Sequence, residues 1–443
     1  MSWQAGRAMP CLSALSAWRS QSDGWVPGCD VARGQDCIRA IGAHSASYGS
    51  MKQSAIALVM ASLLSAALSA QVLPLQSPAA AKSSLPNLAV TSDGRAMLSW
   101  VEPAGKGHSL RFATRDKKGW SKPKEIARGD RWFVNWADFP SVAALPGGRM
   151  AAHWMVKSAE GTYDYDVHIA QSSDGGDTWS KSLVPHLDGK KAEHGFVSLL
   201  PANDGALSAV WLDGREMKGG HDGHGRGAMT LRYVEILGDG KLRKPAMLDA
   251  RVCECCQTSA TMTDAGPVVV YRDRSQGEVR DIGVVRRVDG VWTKPVLVCR
   301  DGWNIAGCPV NGPSVAASGK HVAVAWFTAA ESQSRVKLAL SHDAGASFGD
   351  PIMIDKGNPV GRVEVVMRND GQVFICWLTH VEGAGAIRTR SIAPDGTLRP
   401  AVTIAPSGTG RRNGFPQMVC VGNELVFAWT NDGVKMASMP IVK

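Results

Sequence analysis

The chain has 443 residues, 44% hydrophobic and 20% charged, a globular balance that excludes collagen-like and intrinsically disordered classes and leaves room for one large domain or two smaller ones. Its 49 basic and 40 acidic residues give a formal charge of +9. They are interspersed, with no Lys/Arg block of the kind that forms a nucleic-acid arm, so no nucleic-acid partner is expected.

In chain order, the first informative stretch is "MKQSAIALVMASLLSAALSA", Met51 to Ala70, where one Lys precedes an apolar run ending in small residues. That is the layout of a secretory signal peptide. Such a signal works from a terminus, so translation is read as starting at Met51, with residues 1–50 a disordered, non-native extension, 51–70 the signal and 71–443 the exported domain. The uncharged run from Gln53 to Gln71 is Ala/Ser-rich and barely reaches the ~20 residues a membrane span needs. The expectation is a periplasmic or secreted monomer with no span after cleavage. Cys11, Cys29 and Cys37 precede Met51, so seven of the ten cysteines belong to the exported part, in an oxidising compartment.

Past residue 85 one phrase keeps returning: a short apolar run, a turn with Gly or Asp, and a second apolar run closed by an aromatic, as in "PNLAVTSDGRAMLSW" and "PSVAASGKHVAVAW". The closing aromatics are Trp100, Trp154, Trp211, Tyr271, Trp326, Trp377 and Trp429, a mean period of roughly 55 residues, which signals a solenoid or propeller. Each phrase reads as a β-hairpin followed by a third and a fourth strand, the make-up of one propeller blade. The fold expected is therefore all-β, a seven-bladed propeller of four-stranded blades. The last repeat stops one strand short, while "QVLPLQSP" after Ala70 resembles the fourth-strand segments, so an N-terminal strand is expected to complete the last blade and close the ring.

Between third and fourth strands lie "SSDGGDTWS" and "SHDAGASFGDP". Both match Ser-x-Asp-x-Gly-x-Thr/Ser-aromatic, through Ser172, Asp174, Gly176, Thr178 and Trp179, and through Ser341, Asp343, Gly345, Ser347 and Phe348. In such a turn the Asp accepts backbone N–H groups, Gly supplies a positive φ and the aromatic packs back between sheets, so the motif is a structural staple. On these two Asp-boxes, with degenerate copies such as "RRVDGVWTKP", residues 85–443 resemble the sialidase (neuraminidase) superfamily, also called BNR-repeat proteins. The resemblance implies a propeller, six-bladed in sialidases, in which an arginine triad holds the substrate carboxylate, a Tyr assisted by Glu is the nucleophile and an Asp is the acid/base.

In a four-stranded blade the loops entering first strands and those leaving second strands share one face, opposite the Asp-box turns. That rule gathers Asp138, His194, Cys253 to Cys256, Cys308, Asn311, Arg362, Glu364 and Arg412 with Asp213, Arg215, Arg272, Asp273, Arg274, Glu278 and Arg280 over one central opening. Arg272, Arg362 and Arg412 are the candidates to converge on one carboxylate. Tyr271, Glu278 and Asp138 are the catalytic candidates if the resemblance extends to hydrolysis, and the remaining polar residues are ligand-binding candidates. No Arg-Ile-Pro phrase is present and no tyrosine follows Tyr271. An exo-sialidase-type hydrolase therefore stands beside a noncatalytic propeller binding a small anionic or glycan ligand, the latter preferred.

The thiols leave two readings open. Disulfides are the default for an exported protein, with a bridge from the Cys253–Cys256 segment to Cys299 or Cys308. Alternatively Cys253, Cys255, Cys256 and Cys308, with His194, His221 or His224 nearby, hold a thiophilic ion such as copper or zinc. No cofactor is otherwise required. Cys376 and Cys420 sit in apolar runs and read as buried free thiols.

Overall fold

A computed structural model describes residues 71–202, 205–217 and 227–442; the readings made above for residues 1–70, His221 and His224 fall outside them. Every expected hairpin forms, in chain order Ser84–Val90 with Ala96–Ala104 in blade 1, Ser141–Ala144 with Met150–Lys157 in blade 2, His194–Pro201 with Leu207–Asp213 in blade 3, and Ser259–Thr263 with Gly266–Arg272 in blade 4. Blades 5, 6 and 7 follow with Ser314–Ser318 and His321–Thr328, Pro359–Met367 and Val373–Val381, and Gln417–Val421 and Glu424–Thr430. A third antiparallel strand and then an outer strand complete each sheet. In blade 2 the outer strand is reduced to one bridge between Ile169 and Leu183. Pro185, which has no N–H to give a ladder, follows two residues later.

The ring has seven blades, not the six of the sialidase alternative. First strands of successive blades lie beside one another all the way round, blade 7 against blade 1 included. Between every neighbouring pair lies one hydrophobic cluster, for example Met97, Leu110 and Phe112 against Met150 and Trp154 for blades 1 and 2, and Leu98 and Trp100 against Val426 and Met436 for blades 7 and 1. An alternating strand buries one face; these strands, packed on both sides, bury both, which is why they read as apolar runs. The expected closing strand is Leu73–Leu75, paired antiparallel with Val434–Pro440 through Leu73–Ser438 and Leu75–Met436. An ion pair of 2.6 Å between Arg115 and Glu424 ties blade 1 to blade 7. Among the described residues no helix is long and apolar enough to cross a membrane.

The closing aromatics have a second job. Tyr271 Oη donates to Asp249 at 2.6 Å, Trp326 Nε1 to Asp301 at 2.7 Å and Trp377 Nε1 to Asp355 at 2.6 Å. In each case the carboxylate lies in, or just past, the outer strand of the preceding blade, so the aromatic packs in the core and hydrogen-bonds its neighbour.

Both Asp-box turns have one geometry. Gly176 N and Gly345 N donate to the Ser172 and Ser341 hydroxyls at 2.9 Å, while the Asp174 and Asp343 carboxylates accept from the backbone N of Thr178 at 3.0 Å and of Ser347 at 2.9 Å. Gly176 and Gly345 have φ of 81° and 78°. Trp179 packs edge-on to Phe112 of blade 1, ring centroids 6.2 Å apart, and Phe348 packs into the core between blades 4 and 5. Each box therefore fastens its blade to the one before.

Candidate functional site

The site grows out of a backbone detail at the blade entries. Phe196 and Arg362 start blades 3 and 6 with positive φ, 54° and 53°, inside a bulge that breaks strand register. The N–H freed by each bulge is taken by a side chain from the entry of the preceding blade: Asp138 Oδ1 accepts from Phe196 at 2.8 Å, and Asn311 Oδ1 accepts from Arg362 at 2.7 Å. Glycine precedes each bulge because a Cβ on Gly195 would lie 1.9 Å from Asp138 Oδ2, and one on Gly361 2.3 Å from Asn311 Oδ1.

An amide thus satisfies this position in blade 5, and blade 2 carries a carboxyl instead. Its second oxygen, Oδ2, takes part in a chain that blade 5 lacks: the Tyr165 hydroxyl lies 2.8 Å from Asp138 and 2.9 Å from Glu193. One phenol has one proton to give, so at least one of the two carboxyls is protonated and donates in turn. Burial pushes Asp138 up to about 7 and Glu193 well above its ordinary value. Burial, with both carboxyls, raises Tyr165 as well. The ring of Phe133 stacks on Tyr165 at 4.0 Å and fixes the phenol between the two acids.

These three groups line a pocket of about 180 Å³ together with Phe133, Trp136, Tyr163, Cys255, Cys308 and Arg411. All but Tyr165 belong to a blade-entry loop or to the loop leaving blade 2's second strand, the face assigned by strand order, and Tyr165 opens the third strand where that loop ends. Four larger hollows lie elsewhere, and the two largest are the central channel and a cleft at the closing strand. One of about 620 Å³ runs between the first strands and holds Glu364, which burial raises to about 8 and which accepts from Ser314 Oγ at 3.2 Å. The other, about 780 Å³, flanks the closing strand, with Asp432 and Lys435 its only charged lining residues, too few to carry chemistry.

The thiols meet beside the pocket. Cys253 Sγ is 3.0 Å from Cys256 Sγ and 3.8 Å from Cys255 Sγ, and Cys255 shares the pocket lining with Cys308 of the neighbouring entry loop. All seven cysteines of the described residues are free thiols, so no bridge to Cys299 or Cys308 is formed. Cys299 turns to Asp301 instead, at 3.6 Å. Arg280 Nη1 donates to Cys253 at 3.2 Å. Burial opposes ionisation of Cys253, but the neighbouring thiols and Arg280 outweigh it and hold this thiol well below its ordinary value. Cys376 is fully buried as expected, whereas Cys420 is half-buried, against Arg368.

The arginines expected to converge on one carboxylate do not. Arg272 is buried and donates to the carbonyls of Asn311, Arg280 and Phe327 at 2.8, 2.6 and 2.7 Å, with its guanidinium 4.8 Å from the Trp303 ring. Arg362 donates to the carbonyls of Gly410, Gly414 and Thr409 and lies 4.6 Å from the Trp136 ring; burial lowers it to about 10. Both cross-brace loops through backbone carbonyls, and Arg412 is exposed. Its neighbour Arg411 is the arginine that lines the pocket.

Tyr271 spends its hydroxyl on Asp249 and is buried away from solvent. Glu278 pairs with Arg274 at 2.8 Å and Arg280 at 3.0 Å, and Arg280 with Glu254 at 2.7 Å; Arg274 also bonds Glu254. Asp273, beside this group, is raised by burial to about 6.

His194 opens the strand directly after Glu193, which bridges to Tyr165, and its ring faces the other way. It stacks on His186 at 3.6 Å, contacts Asp188 at 3.1 Å, and with Asp213 and Arg215 forms an ion cluster between blades 2 and 3. Tyr165, Glu193, Phe133 and Tyr163 escaped the sequence reading. The available signals were the parallel between "HGFVS" and "VGRVE" at the bulges and the aromatic pair in "TYDYD" on the correct loop.

No protein-family profile and no curated protein sequence matches the chain. Among solved structures it is similar to the Hadza microbial sialidase Hz136, at 15% identity and TM-score 0.41, over 67% of this chain and 63% of that one. It is also similar to the polysaccharide lyase Uly1, at 10% identity and TM-score 0.49 over 85% and 94%. The NanB sialidase of Streptococcus pneumoniae matches at 8% identity and TM-score 0.44 over 84% and 94%.

Proposed function

We propose that the protein is an exported, monomeric propeller that binds the terminal unit of a glycan in the pocket between Phe133, Trp136 and Tyr163. The observation that carries this reading is the chain Asp138–Tyr165–Glu193, one phenol held between two carboxyls at 2.8 and 2.9 Å. Such a floor offers both donors and acceptors to sugar hydroxyls, and aromatic walls suit the apolar C–H face of a sugar ring. The volume, about 180 Å³, is below the roughly 300–1,000 Å³ of pockets for drug-sized ligands, which favours one ring at a chain end. Arg411 is the group a sugar carboxylate would meet, so a neutral or singly acidic sugar fits.

A second reading, hydrolysis of sialidase type, is favoured by the contact between the Tyr165 phenol and the Glu193 carboxyl, with Asp138 as a further acid. Saturation-transfer NMR with a panel of neutral, uronic and sialic monosaccharides tests binding. The expected result is a signal in the wild type that is lost in D138N/E193Q while thermal unfolding remains cooperative. No signal from any sugar would overturn the reading. Release of fluorophore from aryl glycosides, abolished by Y165F, would favour hydrolysis over binding alone.

A further inference from the structure

The four thiols beside the pocket form a metal site: we propose that Cys253, Cys255, Cys256 and Cys308 bind one thiophilic d¹⁰ cation, Cu(I) or Zn(II), in a form that exchanges with solvent. The inference does not require glycan binding, although Cys255 and Cys308 line the same pocket.

Three sulfur atoms, those of Cys253, Cys255 and Cys256, lie within 4.8 Å of one another, and Cys308, on the neighbouring entry loop, lines the same pocket as Cys255. With metal–sulfur bonds of ~2.3 Å, tetrahedral ligands stand about 3.8 Å apart, and Cys253 and Cys255 already do. The closest pair, Cys253 and Cys256 at 3.0 Å, must open by about 0.8 Å to share an ion on that geometry.

Among the described residues, the ligand group formed by Cys253, Cys255 and Cys256 contains no oxygen or nitrogen donor. The one carboxylate within the segment, Glu254, is held by Arg274 and Arg280, and His186 and His194 belong to the ion cluster between blades 2 and 3. An all-sulfur set selects Cu(I) or Zn(II) over hard cations such as Mg²⁺ or Ca²⁺.

The loop is also held in place before any ion arrives. Cys253 N donates to the Arg272 carbonyl at 2.9 Å, while the Gln257 side chain donates to Ala137 O at 2.6 Å and accepts from Gly312 N at 3.1 Å. The segment is thereby tied to the entries of blades 2 and 5, and little ordering remains to be done on binding.

Access separates this site from a structural one. Cys253, Cys255 and Cys256 are buried, but Cys308 is exposed and lines the pocket together with Cys255. An ion would enter at Cys308 and leave by the same route. Thiols that are protonated before binding give up their protons on ligation, so binding weakens as pH falls.

The test uses the full chain, reduced under argon and freed of metal. Cu(I) is titrated against the chromophoric chelator bathocuproine disulfonate, and Zn(II) separately against a zinc chromophore. The result expected is one equivalent of at least one of the two ions, with protection of the thiols from iodoacetamide. Affinity should be lost in C253S/C255S/C256S, should fall at least about tenfold in C308S, and should be unchanged in C420S. Melting curves of each variant establish that it is folded. Failure of both ions to compete with the chelators would overturn the proposal, as would equal binding by the triple variant. A Cys253–Cys256 disulfide in the isolated protein that after reduction leaves a chain binding neither ion would overturn it as well.

Discussion

Asp138 separates a structural role from a functional one within a single side chain. Its Oδ1 accepts the Phe196 N–H, a task that Asn311 performs for Arg362 with an amide, so D138N should fold. In that variant Oδ1 still accepts from Phe196, the amide donates to the Tyr165 oxygen, and Tyr165 donates to Glu193. The pH dependence follows from burial, which raises the folded-state value to about 7 from 3.8. Between those two values the unfolded chain releases a proton that the folded chain keeps. Asp138 therefore favours the fold fully below about pH 4, and that contribution is lost as pH rises to 7, by an amount on the order of a few kcal/mol. Denaturant unfolding of D138N across pH 4 to 8 should show a flatter profile than the wild type and higher relative stability at pH 8. A profile parallel to the wild type would mean that Asp138 ionises freely.

Tyr271 offers the complementary case. With its hydroxyl on Asp249 and its ring in the core between blades 3 and 4, Y271F should cost about 1–2 kcal/mol and leave pocket chemistry untouched. A variant of wild-type stability that loses ligand binding would restore Tyr271 to the site.

At the scale of strands and turns, the ring is completed by three residues from the far end of the chain. Leu73–Leu75 covers the otherwise open edge of Val434–Pro440, and an open edge invites pairing with other chains. A chain beginning at Lys82 should melt lower than one beginning at Gln71 and self-associate at concentrations where the longer form is monomeric, as sedimentation would show. Equal behaviour would mean that blade 7 needs only its own strands. In the Asp-boxes, the Ser347 hydroxyl and backbone N–H hold Asp343 down to about 2. A depressed carboxylate supports the fold above about pH 4 and ceases to as pH falls through 2. D343N should therefore narrow the stability difference between pH 5 and pH 2, read from melting curves.

These elements were legible in the sequence because each is repeated: hairpin, turn and closing aromatic recur near every 55 residues, and a missing last strand points to a spare first one. The pocket was far less legible. Strand order named its loops correctly, yet which of two adjacent residues faces inward depends on register. The bulges at Phe196 and Arg362 shift that register, so His194 was singled out where Glu193 faces the pocket. Arginines carry a further ambiguity, since a guanidinium fits a carboxylate ligand and three backbone carbonyls equally well. Arg272 and Arg362 took the carbonyls.

At the scale of the whole molecule, closure gathers side chains more than 270 positions apart, from Phe133 to Arg411, around one small opening. Proton-sharing acids and thiols line it together. The most direct measurement is cross-linking of Cys255 to Cys308 by dibromobimane, which fluoresces when both ends react with neighbouring thiols. These residues belong to the entries of different blades and come within reach of one short reagent only if the loops converge as described. The folded wild type should become fluorescent and yield, after proteolysis, a peptide pair joined through Cys255 and Cys308, while C308S should lose that pair. A folded wild type in which the reagent never bridges those two cysteines would contradict the shared pocket.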